Sequence, residues 1–321
     1  MTQLYSTTEL QAIYIGIDVS KLKLDVHIHP LGKAKSFGNN KKGIVALDRF
    51  LRKWPITQIA MEATGRYHLE LLRYLNQCGY NVALLSPQRT RRFADAIGLQ
   101  AKTDGIDAKL IALYSAKVEP DSHNQFDDQL YEIKELMSAR RALIKRMNQI
   151  TNHAQEVQSK ILRRQFDQAR AQCKRHLAQI DKEISEKVES SPDLCRRRAI
   201  LMSIPGVGAV TAFTLLADMP ELGVVSVKQI ASLVGVAPLA RDSGSWSGKR
   251  FIRGGRYNVR KALYMAAVAS LKANRDMALF YKRLKALGKP TKVALVAVMR
   301  KLAILANTLI TENRMWAENR P

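Results

Sequence analysis

The sequence predicts an α/β domain with a mixed sheet at the N-terminus, followed by two long helices and a mainly helical C-terminal region. Apolar runs and turn residues near the start predict three successive short strands, at 13–19, 23–29 and 34–37. Leu31-Gly32-Lys33 supplies a tight turn between the second and third of these, which favours a meander.

The rest of the first domain alternates helical and strand-like segments. The spacing of apolar residues predicts helices at 43–54 and 67–78, strands at 56–62 and 80–85, and mostly helical chain over 90–118. A meander followed by such an alternation indicates an α/β layer fold. We expect this domain to cover residues 1–127.

The middle of the chain has a different composition. Residues 127–189 contain no proline and no glycine, and they are dense in charged side chains, with Leu, Ile and Val recurring at helical spacing. An antiparallel pair of helices or an intermolecular coiled coil would satisfy this pattern. Because the heptad is imperfect, we favour a helical hairpin over 128–195, which would serve in dimerisation or as a spacer.

The remaining region, 196–321, is predicted to be helical with two glycine-rich interruptions. The first contains Gly206 and Gly208 and resembles the turn of a helix-hairpin-helix motif, whose backbone N–H groups receive a DNA phosphate. The alternative is a simple glycine turn between packed helices. The second interruption, 241–256, combines serine, glycine and arginine without helical periodicity.

The charge balance points to a polyanionic partner. The chain has 52 Lys and Arg against 28 Asp and Glu, a net charge of +24, and an isoelectric point of about 10.1. Residues 241–301 alone carry 16 basic side chains against Asp242 and Asp276. We therefore expect nucleic acid to bind mainly through the C-terminal third, with a steep dependence on salt.

Other classes of protein are disfavoured. The three cysteines have no CxxC spacing, which argues against a zinc site or a disulfide framework. The sequence shows no export signal and no membrane span, so we expect a cytoplasmic, nucleoid-associated protein without a membrane partner.

Carboxylates at particular positions suggest a metal site. Asp18 ends the first strand and Glu62 ends the fourth, where the sites of α/β sheets are usually assembled. Asp104 and Asp107 are spaced i, i+3, which places both on one helix face. Four such acids would bind Mg²⁺ or Mn²⁺, because these hard cations take oxygen ligands.

The ordered acids have the layout of RNase H-like nucleases, and the chain as a whole resembles the DEDD insertion-sequence transposases. These include relatives of the Piv pilin-gene invertase and recombinases guided by a bridge or seeker RNA. The matching segments are Tyr-Ile-Gly-Ile-Asp18, Ala-Met-Glu62-Ala-Thr-Gly, Lys-Thr-Asp104-Gly-Ile-Asp107-Ala, Ser-Ile-Pro-Gly-Val-Gly208, Arg-Asp-Ser243-Gly-Ser and Arg253-Gly-Gly-Arg256 with Arg260-Lys-Ala-Leu-Tyr. The resemblance implies a RuvC-like domain, a coiled-coil middle and a compact helical transposase domain.

The resemblance also implies a mechanism. Ser243 would attack DNA and form a covalent phosphoserine link, with the acid tetrad of one subunit completing the site around the serine of another. At least a homodimer, or a homotetramer, is then expected, with donor and target DNA and a guide RNA as partners. The residues expected to bind nucleic acid are Lys21, Gly206, Gly208, Arg241, Lys249, Arg250, Arg253, Arg256 and Arg260.

Alternatives remain open at this point. From the residues alone, Ser243 could instead belong to a phosphate-binding loop, and Ser245 and Ser247 lie in the same loop. A RuvC-type, metal-dependent endonuclease would use the acids but no serine. A non-catalytic nucleic-acid-binding scaffold would use neither.

Overall fold

The structure, a computed structural model, describes residues 12–63, 65–99, 104–122, 127–240, 242–243, 246–248 and 250–317, without the side chains of residues 104–106 and 246. The chain divides into two compact units, Met1–Asp127 and Asp128–Pro321. This boundary falls where the sequence predicts the end of the α/β domain.

The first unit is built on a five-stranded mixed sheet with the order β3-β2-β1-β4-β5. The first three strands are antiparallel neighbours, whereas β1, β4 and β5 run parallel. The bounds are β1 Ile13–Val19, β2 Lys23–His29, β3 Lys33–Gly38, β4 Ile56–Glu62 and β5 Val82–Leu85. The predicted meander and mixed sheet are therefore confirmed.

Helices cover both faces of this sheet. Their bounds are α1 Lys41–Leu51, α2 Leu69–Gln77, α3 Pro87–Ala96 and α4 Asp104–Val118. One face packs on α1 and α2 through buried side chains such as Leu47 and Leu72. The other face, which includes Ala60, packs on α3 and α4 through Phe93 and Ile111. Both faces are thus removed from water, which explains the almost continuous apolar run of β1.

A buried carboxylate ties the first of these faces together. Asp48 is 3% exposed and accepts hydrogen bonds from Arg52 Nε at 2.9 Å, the Tyr80 hydroxyl at 2.9 Å and the Tyr74 hydroxyl at 3.3 Å. Burial and the hydrogen bond to Asp48 raise the pKa of Tyr80, so its hydroxyl stays a donor. The network links α1 to α2 and to the chain that enters β5.

Asp48→Asn is expected to lower the free energy of unfolding by about 2 kcal/mol, because both tyrosine hydroxyls lose a charged acceptor. Chemical denaturation followed by circular dichroism measures this change. Arg52→Gln is the control: it removes an exposed partner of the same carboxylate and should have a much smaller effect. Equal losses in the two variants would show that the tyrosine contacts contribute nothing.

The second unit begins with a helical hairpin, α5 Asp128–Glu156 and α6 Lys160–Glu189. The helices are antiparallel, since Arg140 pairs with Asp181 at 2.6 Å near the base while His153 contacts Phe166 near the turn. The structure thus contains the hairpin rather than requiring an intermolecular zipper. Its base is not a separate layer, because its buried side chains join the core formed by the later helices.

That core is assembled from helices α7 Pro192–Ser203, α8 Ala209–Asp218, α9 Val227–Val234, α10 Tyr257–Ala273, α11 Arg275–Ala286 and α12 Thr291–Thr311. Two short strands, β6 Asp242–Ser243 and β7 Trp246–Ser247, interrupt the helices. The helical character predicted for the C-terminal region is confirmed.

Helix α12 is long and apolar enough to cross a bilayer by length and composition alone, with a mean hydropathy of 1.8 in its most apolar stretch. Half of that stretch is buried within the protein, and Val298, Leu302 and Ala306 belong to the core of the second unit. These contacts indicate a core helix.

Candidate active site

Asp18 and Glu62 occupy neighbouring positions on adjacent parallel strands. β1 and β4 are paired in register as far as Ile17 and Met61, and the two acids are the next residue on each strand. Because side chains alternate along a strand, both acids lie on the face that also carries Gly16. The register therefore brings together two acids that are 44 positions apart in the sequence.

Helix α4 crosses β1 at Gly16. A Cβ atom at this position would lie 2.9 Å from Cβ of Ala112, and closer still to the carbonyl oxygen of Ala108 and the amide nitrogen of Ala112. Only glycine permits this approach. Asp107, half-buried, immediately precedes Ala108, so α4 brings its acid to the same sheet face as Asp18.

Asp104 is the first residue of α4, and the expected i, i+3 pair therefore lies within one helix. Its side chain lies outside the described part of the structure. Within that part, no three side chains of the His, Cys, Asp and Glu types are close enough together to hold a metal ion. The four-acid metal site thus stays a prediction, with carboxylate oxygens as the right donor type for Mg²⁺.

Glu62 is held by a residue of α3. The hydroxyl of Thr90 donates a hydrogen bond to Oε1 of Glu62 and also lies 3.1 Å from the carbonyl oxygen of Pro87. Thr90 is 1% exposed. Because α3 starts directly after β5, whose Leu85 pairs with Glu62, the helix begins beside this acid.

A further acid lies on the same row of the sheet. Asp25 is the antiparallel partner of Asp18, and its carboxylate accepts a hydrogen bond from the Ser36 hydroxyl on β3. His27 lies two residues further along β2 and is buried. Its pKa is lowered mainly by burial and to a lesser extent by the nearby positive charge of Lys109. The imidazole beside this row is therefore neutral at neutral pH.

Ser243 lies on an exposed two-stranded hairpin in the second unit. β6 and β7 are antiparallel, with Asp242 paired to Ser247 and Ser243 paired to Trp246. The Ser247 hydroxyl donates to Asp242 at 3.1 Å, whereas Ser243 has no side-chain hydrogen-bond partner among the described residues. Of the two described serines in this loop, Ser243 therefore has the freer hydroxyl, and Ser245 lies outside the described residues.

The base of this hairpin is fixed by backbone contact between two glycine-containing segments. Gly235 and Gly255 have φ of +77° and +67°, and a Cβ on either would meet backbone atoms of the opposite segment. Two backbone hydrogen bonds join the segments. The Arg256 amide donates to the carbonyl oxygen of Leu233 at 2.8 Å, and the Leu239 amide donates to the carbonyl oxygen of Phe251 at 2.8 Å. The two ends of this loop are therefore held together by backbone contacts.

The predicted phosphate-binding arginines differ in their contacts. Arg250 pairs with Asp242 at 2.7 Å, and this hydrogen bond lowers the pKa of the Asp242 carboxyl. Arg256 is bound by Glu221 and by the carbonyl oxygen of Asp218, at 2.6 and 2.9 Å. Both arginines therefore have partners within the chain, and binding of nucleic acid by Arg250 and Arg256 remains a prediction.

The other predicted contacts are less constrained. Lys21 and Arg253 are exposed, and Arg260 donates to the carbonyl oxygen of Gly254. Arg241 and Lys249 lie outside the described residues. Binding of nucleic acid by any of these side chains remains a prediction.

The first glycine-rich turn has a packing role. Gly206, with φ of +100°, lies against α10, where a Cβ would come within 2.7 Å of the Ser270 backbone. Gly208 is the N-cap of α8 and has open space around it. Helix packing therefore explains why residue 206 is a glycine, and phosphate binding at Gly206 and Gly208 remains a prediction.

Two family models match the chain. A DEDD-type transposase model covers residues 15–166, and a model described as "Transposase IS116/IS110/IS902 family" covers residues 198–282. Together they include both the strand acids and the Ser243 hairpin. The chain belongs to this transposase family.

Known relatives of this IS110-type transposase agree. A pilin gene-inverting protein of Moraxella bovis is 29% identical over 315 residues, 94% of this chain and 96% of the relative. An uncharacterized protein of insertion element IS110 from Streptomyces coelicolor is 32% identical over 125 residues, 37% of this chain and 31% of the relative. The chain is thus an enzyme of the DNA transposase and recombinase class.

The structure adds residues to the candidate site that the sequence analysis missed. Thr90 contacts Glu62 and Asp25 faces Asp18, yet neither was singled out. For Asp25 the signal was available, since it lies on the polar side of an alternating strand next to β1. For Thr90 no local pattern distinguishes it from an ordinary helix residue.

Proposed function

We propose that this transposase cleaves and exchanges DNA strands through a covalent phosphoserine intermediate on Ser243. The observation that carries the proposal is the position of Ser243, exposed on a hairpin whose base is fixed by glycine backbone contact. A nucleophile that must reach a DNA phosphate needs both exposure and a defined position.

The covalent step conserves phosphoester bonds. The Ser243 oxygen attacks a backbone phosphorus, one P–O bond to a deoxyribose oxygen breaks, and that oxygen takes up a proton. A DNA hydroxyl can then attack the phosphoserine and release the serine. Because one ester replaces another, strand exchange needs no external energy source.

The acids are proposed to bind Mg²⁺ or Mn²⁺ through Asp18, Glu62, Asp104 and Asp107. When bound, such an ion supplies activation of an oxygen nucleophile and stabilisation of a leaving oxygen. The strand order β3-β2-β1-β4-β5, with acids on β1 and β4, supports an RNase H-like assignment of this unit. The hydrogen bond from the Thr90 hydroxyl would help to orient Glu62 as a ligand.

The wider assembly is also part of the proposal. The tetrad of one subunit would serve the serine of another, so we propose a homodimer or homotetramer, with dimerisation through the α5–α6 hairpin. Target choice through a guide RNA is proposed from the family resemblance, and the net charge of +24 suits RNA as well as DNA. Purification from the native host followed by sequencing of bound RNA tests this component, and recovery of no discrete RNA contradicts it.

Covalent capture tests the chemistry. The protein is incubated with labelled DNA carrying the ends of its own element and Mg²⁺, denatured, digested, and analysed by mass spectrometry. We expect a nucleotide-modified peptide at Ser243 that is absent when the metal is chelated. DNA cleavage without any adduct would favour a RuvC-type endonuclease, and the absence of both would favour a non-catalytic scaffold.

A further inference from the structure

Helix α3 has a buried side that contacts the candidate site. Thr90 donates its hydroxyl to Glu62, and Phe93 packs edge-to-face on Tyr114 with 5.3 Å between ring centroids. Thr90 and Phe93 are three residues apart and so lie on the same side of the helix. This side faces the sheet, and most of the remaining helix surface is exposed to solvent.

Three arginines occupy that outer circumference. Arg89, Arg91 and Arg92 are all exposed, and none makes an ion pair with any residue in the described part of the chain. Successive helix positions are separated by about 100°, so Arg89 and Arg91 flank Thr90 while Arg92 points away from it. Three cations within one helical turn repel one another unless an anion lies between them.

The helix begins at the strand end that carries Glu62. β5 ends at Leu85, the register partner of Glu62, and α3 starts two residues later at Pro87. The arginines are thus within the first two turns of a helix that starts beside an acid. A carboxylate site repels phosphate, so cations are needed around it if a phosphodiester is to approach.

The geometry points to α3 as the helix that aligns the acid site and binds the phosphates of the DNA strand being cleaved. Thr90 is the positioning residue, acting through Glu62, and Arg89, Arg91 and Arg92 contact the strand. Guanidinium groups suit this role because each can donate two parallel hydrogen bonds to one phosphate. The choice of DNA as the strand rests on the proposed function, whereas phosphate binding rests on the arginines themselves.

A matched pair of triple variants tests the arginines. Arg89→Gln/Arg91→Gln/Arg92→Gln removes three charges from α3, and Lys42→Gln/Arg49→Gln/Lys53→Gln removes three exposed charges in and just after α1, on the other sheet face. Binding of element-end DNA is measured by fluorescence anisotropy over a range of salt, with the full-length protein and EDTA. The slope of log affinity against log salt is negative, and the α3 variant should reduce its magnitude by about 3, whereas the control leaves it unchanged.

Two results would overturn the assignment. Equal losses in both variants would mean that the protein charge as a whole attracts DNA. Loss of affinity for a structured RNA of equal length, with DNA binding retained, would mean that α3 faces RNA. Because EDTA prevents metal-dependent chemistry, these outcomes do not depend on whether Ser243 forms an adduct.

Thr90 is tested by Thr90→Val and Thr90→Ser. The first keeps the shape but removes the hydroxyl, and the second keeps the hydroxyl. Mn²⁺ affinity, followed by electron paramagnetic resonance, should fall roughly tenfold or more in Thr90→Val and be rescued in Thr90→Ser. Element-end DNA affinity in EDTA should be the same in both.

If Thr90 has only a structural role, Thr90→Val should lower thermal stability without changing Mn²⁺ affinity. That result would contradict the proposal that Thr90 positions Glu62. If the wild-type protein binds no Mn²⁺, the proposed metal site itself is wrong. The arginine comparison then still decides whether α3 binds phosphate. Failure of the inference and failure of the proposed function are therefore distinguishable.

Discussion

Ser243→Ala is expected to abolish covalent DNA linkage and strand exchange, lowering both by at least about 10³-fold, because the substitution removes the oxygen that forms the phosphoserine bond in the proposed mechanism. The substitution removes one exposed oxygen that has no hydrogen-bond partner among the described residues. Folding should therefore be unaffected. Adduct formation on denaturing gels, with circular dichroism to verify folding, measures the effect.

Two neighbouring serines provide the controls. Ser247→Ala removes the hydrogen bond to Asp242 at 3.1 Å but leaves the Arg250–Asp242 ion pair, so linkage should survive with at most a modest loss. Ser245→Ala tests whether the third serine of the loop is the nucleophile, and linkage should survive in this variant too. Undiminished linkage in Ser243→Ala, or its loss only in Ser245→Ala, would reassign the nucleophile.

Gly16→Ala should lower the free energy of unfolding by about 3 kcal/mol, which is large for the addition of one methyl group. The new Cβ would meet the backbone of α4 at Ala108 and Ala112, and a helix backbone cannot move aside as a side chain can. Because α4 carries Asp107, any displacement of the helix also moves an acid. Chemical denaturation and hydrogen exchange of β1 and α4 amides would report both changes.

Gly32→Ala is the matched control within the same unit. Gly32 has φ of +68°, and a Cβ added there would have no atom within 4 Å, so only backbone strain of about 1 kcal/mol is expected. Hydrogen exchange in α4 should stay unchanged in this variant. A Gly16→Ala protein as stable as Gly32→Ala would mean that α4 does not cross β1 as closely as described.

The sequence was most informative about local structure in the first unit. Strands 13–19, 23–29 and 56–62 have the predicted bounds, because alternation, apolar runs and turn residues are all local signals. Helix 43–54 begins earlier than predicted, at Lys41, and ends earlier, at Leu51. Helix 67–78 begins later than predicted, at Leu69.

Contacts between distant segments were not predictable in the same way. The pairing of Arg256 with Glu221 joins residues 35 positions apart, and neither the basic charge nor the family resemblance that assigned this arginine to nucleic-acid binding indicated that partner. Gly235 and Gly255 both have the sequence context of loop glycines, yet their mutual contact depends on how α9 and α10 are arranged. Periodicity likewise identified α5 and α6 without indicating that their base joins the main core.

The contact between Gly235 and Gly255 has a mechanical consequence. In the proposed mechanism, a DNA strand attached at Ser243 would exert force on the protein whenever the strand is repositioned. Gly235 directly follows α9, and Gly255 lies just before α10. Because their backbones are in contact, the force would be transmitted to these two helices. These two helices would then resist the movement of the bound strand.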